Sequence, residues 1–217
     1  MPSLTEENYL KALFHLAPGA ADTVPTTELA AHLGVSKPTV TSMLKTLARR
    51  GFVHYEPYRP ARLSDPGRRA AAAVVRKHRL TEMFLVEKMG FGWAEVHAIA
   101  EQMEHIDAPE FFARMDELLG FPTVDPHGSP IPDAAGLVQR GAYQPLTEVA
   151  PGATVRLRAI GNSSAELLQF LTRKGIALDT ELTLLRREPF DGSLVVRYGG
   201  REEMLSLEVG RCLLVGG

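Results

Sequence analysis

The chain has 217 residues, 45% hydrophobic and 23% charged, which fits one large or two to three small folded domains and excludes a fibrous or disordered chain. Its single cysteine, Cys212, excludes an intramolecular disulfide framework and suits a reducing compartment, so a cytoplasmic location is expected. No apolar run approaches the roughly 20 residues of a membrane span, and polar, acidic Met1–Glu7 lacks the apolar core of a secretory signal, so no membrane partner is expected. The net charge of −2 conceals a gradient: nine Lys/Arg face six Asp/Glu in residues 1–73, six face eleven in 74–140, and nine face nine in 141–217. The basic end suits phosphates, while the middle also holds four of the seven histidines. A solvated acidic surface would give the same averages, so the gradient alone settles nothing.

In chain order, Leu4, Tyr9, Leu10, Leu13, Phe14 and Leu16 recur at helical spacing, and Pro18 and Gly19 close that helix. A second helix runs from a Thr26 cap to Leu33, with Gly34 as its stop. Ser36 caps a third helix that carries Pro38 in its first turn and ends before Gly51. Phe52–Tyr55 reads as a strand, Tyr58-Arg59-Pro60 as a turn and Ala61–Leu63 as its return. After Pro66-Gly67 come helices over Arg68–Met89, Trp93–Ile106 and Glu110–Leu119, and then a Pro- and Gly-rich connector over 121–151. From Ala153 the pattern becomes short alternating strands at Val155–Ile160, Glu181–Leu185, Leu194–Tyr198, Met204–Leu207 and Cys212–Val215, with one helix at Ser164–Lys174. The expected fold is mainly α with a small β-barrel domain, divided at 1–73, 74–140 and 141–217. Cys212 is expected to be a small buried apolar residue.

Helix, short turn, helix and hairpin make a winged helix-turn-helix. Its second helix presents Ser36, Lys37, Pro38, Thr39, Thr41, Ser42 and Lys45, with hydrogen-bond donors and no carboxylate, and Arg59 sits on the wing. A helix N-terminus rich in donors reads base edges and phosphates, so double-stranded DNA is the expected partner. The bland alternative is a winged helix used for protein contacts.

On a helix spanning Trp93–Ile106, His97, Glu101, Glu104 and His105 project at roughly 0°, 40°, −20° and 80°, on one face. His78 and Glu82 form an i,i+4 pair on the preceding helix. Such pairs are common on solvated helices, but six imidazoles and carboxylates on successive helices point to a divalent-metal site. No His-Glu-x-x-His or Gly-x-Ser-x-Gly motif is present, so no enzyme and no small organic substrate are expected.

The runs Lys77-His78-Arg79-Leu80-Thr81-Glu82, Val96-His97 and Glu101-Gln102-Met103-Glu104-His105, with Pro126-His127-Gly128-Ser129-Pro130-Ile131-Pro132 and Glu7-Asn8-Tyr9-Leu10-Lys11, resemble the diphtheria toxin repressor family. The resemblance covers most of residues 4–136 and the C-terminal part more loosely. It implies a homodimer with a winged helix, a helical dimerisation and metal domain, and an SH3-like (iron-transport-A-like) barrel. It also implies two metal sites. One joins a first-helix residue, here Asn8, to Glu101, Glu104 and His105; the other uses His78, Glu82 and His97, with Asp125 and His127 as in the streptococcal manganese-regulator branch. Glu101 stands where the iron-sensing branch has cysteine, which gives an all N/O site favouring Mn(II) over Fe(II). Asn8 stands where the manganese branch has aspartate. Ala159 and Asn162 fall at the barrel's ligand positions, and Ala159 has no donor. The implied activity is metal-dependent repression of metal-uptake genes at a pseudo-palindromic operator. The alternative is a winged-helix regulator with a structural metal and a different trigger.

Overall fold

The computed structural model describes residues 2–17, 19, 21–133, 136–139 and 141–216; Pro18, half of the predicted stop after the first helix, lies outside the described residues. The chain divides into two compact units, one of Met1–Thr81, Ala100–Met115 and Ile131–Val138, the other of Glu82–Ile99, Asp116–Pro130 and Gln139–Gly217.

The first unit opens with α1 (Leu4–Leu16), started by a capping box in which the Ser3 hydroxyl accepts from the Glu6 amide and the Glu6 carboxylate accepts from the Ser3 amide. Its apolar stripe, Tyr9, Leu10, Leu13 and Phe14, is buried with Leu29, Val40, Leu44 and Leu47. Each fully buried leucine there contributes roughly 1.5–3 kcal/mol relative to exposure. The cap of α2 (Thr26–Leu33) differs from expectation: Pro25 is the cap residue, without a side-chain bond, and Thr26 is already helical. Gly34 closes α2 at φ 65, and Ser36 caps α3 (Lys37–Arg49) by accepting from the Thr39 amide.

The wing strands, β1 (Val53–His54) and β2 (Arg62–Leu63), are shorter than the sequence pattern suggests. The Phe52 amide is spent on the Leu47 carbonyl at the end of α3, and Pro57 and Pro60 have no amide to extend the ladder. Next, α4 (Asp65–Met89) begins three residues before the predicted Arg68. Ser64 caps it by accepting from the Gly67 amide, and Pro66 fits the first turn. A Cβ at Gly67 would lie 1.8 Å from the Phe52 carbonyl oxygen, so only glycine lets this turn approach the wing. The first unit also takes the end of α5 (His97–Met103) and the start of α6 (Pro109–Leu119).

The predicted helix Trp93–Ile106 is a shorter one. Residues 93–96 form a turn held by the Glu95 carboxylate on the Gly92 amide, and Glu104 and His105 follow α5 in another turn, with the Glu104 amide still on the Ala100 carbonyl.

In the second unit a six-stranded antiparallel sheet has the order β3-β8-β4-β5-β6-β7, with β3 (Gln144–Pro145), β4 (Thr154–Ile160), β5 (Glu181–Arg187), β6 (Leu194–Tyr198), β7 (Arg201–Leu205) and β8 (Leu213–Gly216). Leu157, Leu182, Leu184 and Val196 of the sheet bury Leu168 and Leu171 of α7 (Ala165–Lys174), which Ser164 caps. The expected strands Met204–Leu207 and Cys212–Val215 require correction. Ser206 accepts from the Val209 amide and starts the short helix α8 (Leu207–Cys212), so Cys212 ends a helix and is half-buried rather than core. Within the connector, Val124 bridges Pro130, and Leu146–Glu148 form a 3₁₀ turn.

Candidate metal and nucleic-acid sites

In the first unit, α1 brings Glu7 and Lys11 to the residues that end α5. The Lys11 Nζ lies 2.6 Å from Glu101 Oε1 and 2.7 and 2.9 Å from the two oxygens of Glu104. Glu104 is fully buried, and its Oε2 also meets His78 Nδ1 at 2.6 Å. His105 Nδ1 lies 2.6 Å from Glu7 Oε2, with its Nε2 3.5 Å from Glu104 Oε1. The Asn8 Oδ1 is buried and has no hydrogen-bond partner among the described residues. An amide oxygen stripped of water costs about 1–3 kcal/mol unless something satisfies it. Carboxylate and amide oxygens are hard donors and imidazole a borderline one, so a set of these without thiolate fits a divalent cation of the Mn(II) or Fe(II) kind. Of the residues expected here, Glu101 and Glu104 come together on Lys11, His105 lies beside Glu104, His78 joins them through Glu104, and Asn8 follows Glu7 on α1 with its oxygen buried. Glu7 and Lys11 were not predicted as members; their i,i+4 spacing around Asn8 on α1 was the available signal.

The second unit holds another cluster. Glu82 of α4, Asp125 and His127 are all buried and offer ligand atoms within 4.8 Å of one another. The Asp125 Oδ1 accepts from the amides of His127 and Ser129, which fixes the loop that Val124 and Pro130 close. His127 Nε2 lies 2.8 Å from the Trp93 carbonyl. An Nε2–H donated to that oxygen leaves the Nδ1 lone pair toward Glu82 Oε2 at 3.7 Å, a tautomer suited to metal ligation. His97 Nδ1 stands 3.3 Å from Glu82 Oε1 with its side chain 63% exposed. The loop is pinned to β4: Ile160 N donates to the His127 carbonyl, and a Cβ at Gly128 would lie 2.1 Å from the Arg158 carbonyl oxygen. Ala159 is buried against that approach and Asn162 is exposed.

On the winged helix, Ser36, Lys37, Pro38, Thr39, Ser42, Lys45 and Arg59 are exposed and Thr41 is half-buried. Lys37, Thr41, Lys45 and Arg59 line one groove of about 460 Å³ between α3 and the wing, with the fully exposed Tyr58 beside them. These are donors without a carboxylate, as a surface for phosphates and base edges requires.

Comparison with known proteins agrees with this division of labour. Residues 2–61 match the iron-dependent repressor N-terminal DNA-binding domain, residues 64–133 the iron-dependent repressor metal-binding and dimerisation domain, and residues 144–216 the FeoA domain. The order is that of the expected fold: winged helix, helical domain and small SH3-like β domain. The diphtheria toxin repressor of Corynebacterium glutamicum is 32% identical over 207 residues, 90% of this chain and 89% of that protein. The iron-dependent repressor IdeR of Mycobacterium tuberculosis is 37% identical over 137 residues, 63% of this chain, and the match spans only 58% of the mycobacterial protein. A solved manganese-dependent transcriptional repressor in complex with manganese superposes with a TM-score of 0.88 at 36% identity, over 97% of this chain and 98% of its own. ScaR with bound Cd2+ superposes with a TM-score of 0.82 at 29% identity, over 99% of each chain. These relatives are repressors rather than enzymes, and the chain belongs to the diphtheria toxin repressor family of metal-dependent transcriptional repressors.

Proposed function

We propose that this protein is a cytoplasmic, metal-dependent repressor that binds a pseudo-palindromic DNA operator as a homodimer, with Mn(II) the favoured effector, Fe(II) the second, and metal-uptake genes the targets. Residues 1–73 are assigned to DNA binding, 74–140 to dimerisation and metal, and 141–217 to the β domain. The observation that carries the reading is the double duty of α1. Its apolar face is part of the winged-helix core through Leu10, Leu13 and Phe14, while its polar face brings Glu7 to His105 and Lys11 to Glu101 and Glu104. Whatever fixes that polar face also fixes the reading head.

In this reading Glu101, Glu104 and His105, with Asn8 from α1, hold the effector, and His78 orients Glu104 through their hydrogen bond. Glu82, Asp125 and His127, with His97, form the second site. A bound divalent cation would supply positive charge among these carboxylates. The donor set, free of thiolate, supports Mn(II), and so does the manganese-dependent relative. Ser36, Lys37, Thr39, Thr41, Ser42 and Lys45 face the major groove; Pro38 holds the first turn of α3, and Arg59 reaches the backbone from the wing. Exposed Phe111, Leu118 and Phe121 in and after α6 are the kind of apolar surface a homodimer covers. Because DNA and metal favour the same arrangement, each strengthens binding of the other.

The test is capture of genomic fragments by the purified protein in Mn(II), in anaerobic Fe(II) and in chelator. Fragment-selective capture in metal alone is expected; equal DNA affinity in chelator and saturating Mn(II) overturns the reading. The complete burial of Glu82, Asp125 and His127 favours a second role for that cluster, a structural metal rather than a sensed one. In that case Glu82→Gln lowers thermal stability and leaves the metal response of DNA binding unchanged.

A further inference from the structure

Lys11 spends its whole hydrogen-bonding capacity on the carboxylates assigned to the effector. An ammonium has three N–H donors, and the three short contacts of Lys11 are Glu101 Oε1, Glu104 Oε1 and Glu104 Oε2. Its side chain is 11% exposed and that of Glu104 is 0% exposed, so water does not reach Glu104, whereas Glu101, at 40% exposed, keeps part of its carboxylate open to solvent. Three contacts occupy most of the roughly four lone-pair sites of Glu104, with Lys11 on both oxygens and His78 on one of them. A metal ligand needs those same lone pairs.

We infer that Lys11 is a resident cation that competes with divalent metal for Glu101 and Glu104, and so sets the metal concentration at which the effector site fills. The inference rests on the assignment of Glu101 and Glu104 as effector ligands. Two features distinguish it from an ordinary salt bridge. The ammonium bridges two carboxylates from one end of one helix, which is the place of a cation rather than of a single partner. Lys11 also lies on α1 three residues after Asn8, on the same face of the helix, whose own oxygen is buried and unbonded. The helix is attached to the α5 end by the Lys11 ammonium, and the Asn8 oxygen, one turn earlier on the same face, is a further donor that a metal could recruit. A bound divalent cation would take the place of the Lys11 ammonium on Glu101 and Glu104, and Asn8 would be the α1 residue to hold it. When a competent form is only fractionally populated, apparent affinity falls by that fraction, so the strength of the lysine contact is subtracted from the strength of metal binding.

The experiment measures Mn(II) binding directly, from the electron paramagnetic resonance signal of free Mn(II), on the full-length wild-type protein, Lys11→Met and Lys11→Arg. Lys11→Met is expected to bind Mn(II) about tenfold or more tightly than wild type, as removal of a competing state requires, and Lys11→Arg to restore weaker binding. A merely structural lysine gives the opposite sign, because its loss would disorder the site and weaken binding. Unchanged or weaker binding by a folded Lys11→Met overturns the inference. A second readout needs no variant: acetylation of Lys11 by an amine-reactive ester, followed by mass spectrometry, should rise severalfold when Mn(II) is added. Equal labelling with Mn(II) and with chelator also overturns it. If the wild-type protein binds no Mn(II) and Glu104→Gln changes nothing, the effector assignment itself has failed, which is a separate result.

Discussion

Replacing Gly128 by alanine is expected to damage the loop that carries Asp125 and His127 far more than an ordinary glycine substitution does. Two costs add. Gly128 has φ +83, and an alanine in left-handed backbone costs about 1 kcal/mol. The new Cβ would also stand 2.1 Å from the Arg158 carbonyl oxygen and 2.6 Å from the Ala159 Cα, both backbone atoms of β4 that no side-chain rotation can clear. Restoring an ordinary van der Waals distance requires a shift of more than about 1 Å, and overpacking of this kind costs about 1–3 kcal/mol. The sum is about 2–4 kcal/mol. A shift of that size exceeds the roughly 0.2 Å tolerance of a ligand sphere, so the Glu82–Asp125–His127 cluster should lose at least about tenfold in metal affinity, or about 1.4 kcal/mol. Gly200→Ala is the matched control: φ is +76 there and nothing lies within 4 Å of the added Cβ, so only the conformational cost applies. Urea unfolding followed by far-ultraviolet circular dichroism measures the stabilities, and Mn(II) titration the site. If Gly128→Ala and Gly200→Ala unfold together and Gly128→Ala keeps its full Mn(II) stoichiometry, the idea that β4 braces this loop is refuted.

Three further outcomes are expected. Burial opposes charge on Glu6, but the Ser3 amide, Arg50 and the Ser3 hydroxyl outweigh it and hold the carboxyl below its ordinary 4.5. A depressed folded pKa gives stability that is present above the unfolded value and is lost as the pH falls through the folded one. Glu6→Gln should therefore cost about 1 kcal/mol at neutral pH and flatten the acid limb of the pH–stability curve; an unchanged acid limb contradicts the capping-box account. Asn8→Asp places a charge where an unbonded oxygen now sits, so Mn(II) affinity should rise about tenfold in the same resonance titration; no change would remove Asn8 from the site. Lys45→Ala and Arg59→Ala should each weaken DNA binding and reduce the slope of log affinity against log salt by about 1 if they contact phosphate. A slope unchanged across both variants would place the DNA elsewhere.

The winged helix was legible in the sequence because its determinants are local. Ser36, Gly34 and the apolar spacing of Leu29, Val40, Leu44 and Leu47 act within one or two turns, and the structure uses each as expected. Errors arose where one side chain redirected the backbone. Ser64 made Pro66 and Gly67 part of a helix instead of its boundary, and Ser206 turned an alternating Leu207, Val209 pattern into α8. Glu95, folded back on the Gly92 amide, delayed α5 to His97, so the four-residue helical face drawn over Trp93–Ile106 survives only in part. The candidate ligand types stand out in the sequence by their spacing, but their pairing does not. Lys11 meets Glu101 and Glu104 across 90 and 93 residues, and Glu7 meets His105 across 98, distances at which no periodicity speaks. An isolated lysine in an amphipathic helix reads as a solvated charge until the fold places carboxylates around it.

Trp93 is the only tryptophan in the chain, and its surroundings make it an optical reporter that needs no label. Its ring stacks near His127 with centroids 6.1 Å apart, its carbonyl lies against the His127 Nε2, and its indole nitrogen donates to Thr172 of α7. Emission excited selectively through the indole should therefore quench when a paramagnetic ion such as Mn(II) fills the Glu82–Asp125–His127 cluster. Resonance titration counts every bound ion, whereas fluorescence follows only those near His127. Run side by side in a stopped-flow instrument, the two signals give the order in which the clusters fill, and that order separates a metal that builds the protein from a metal that informs it.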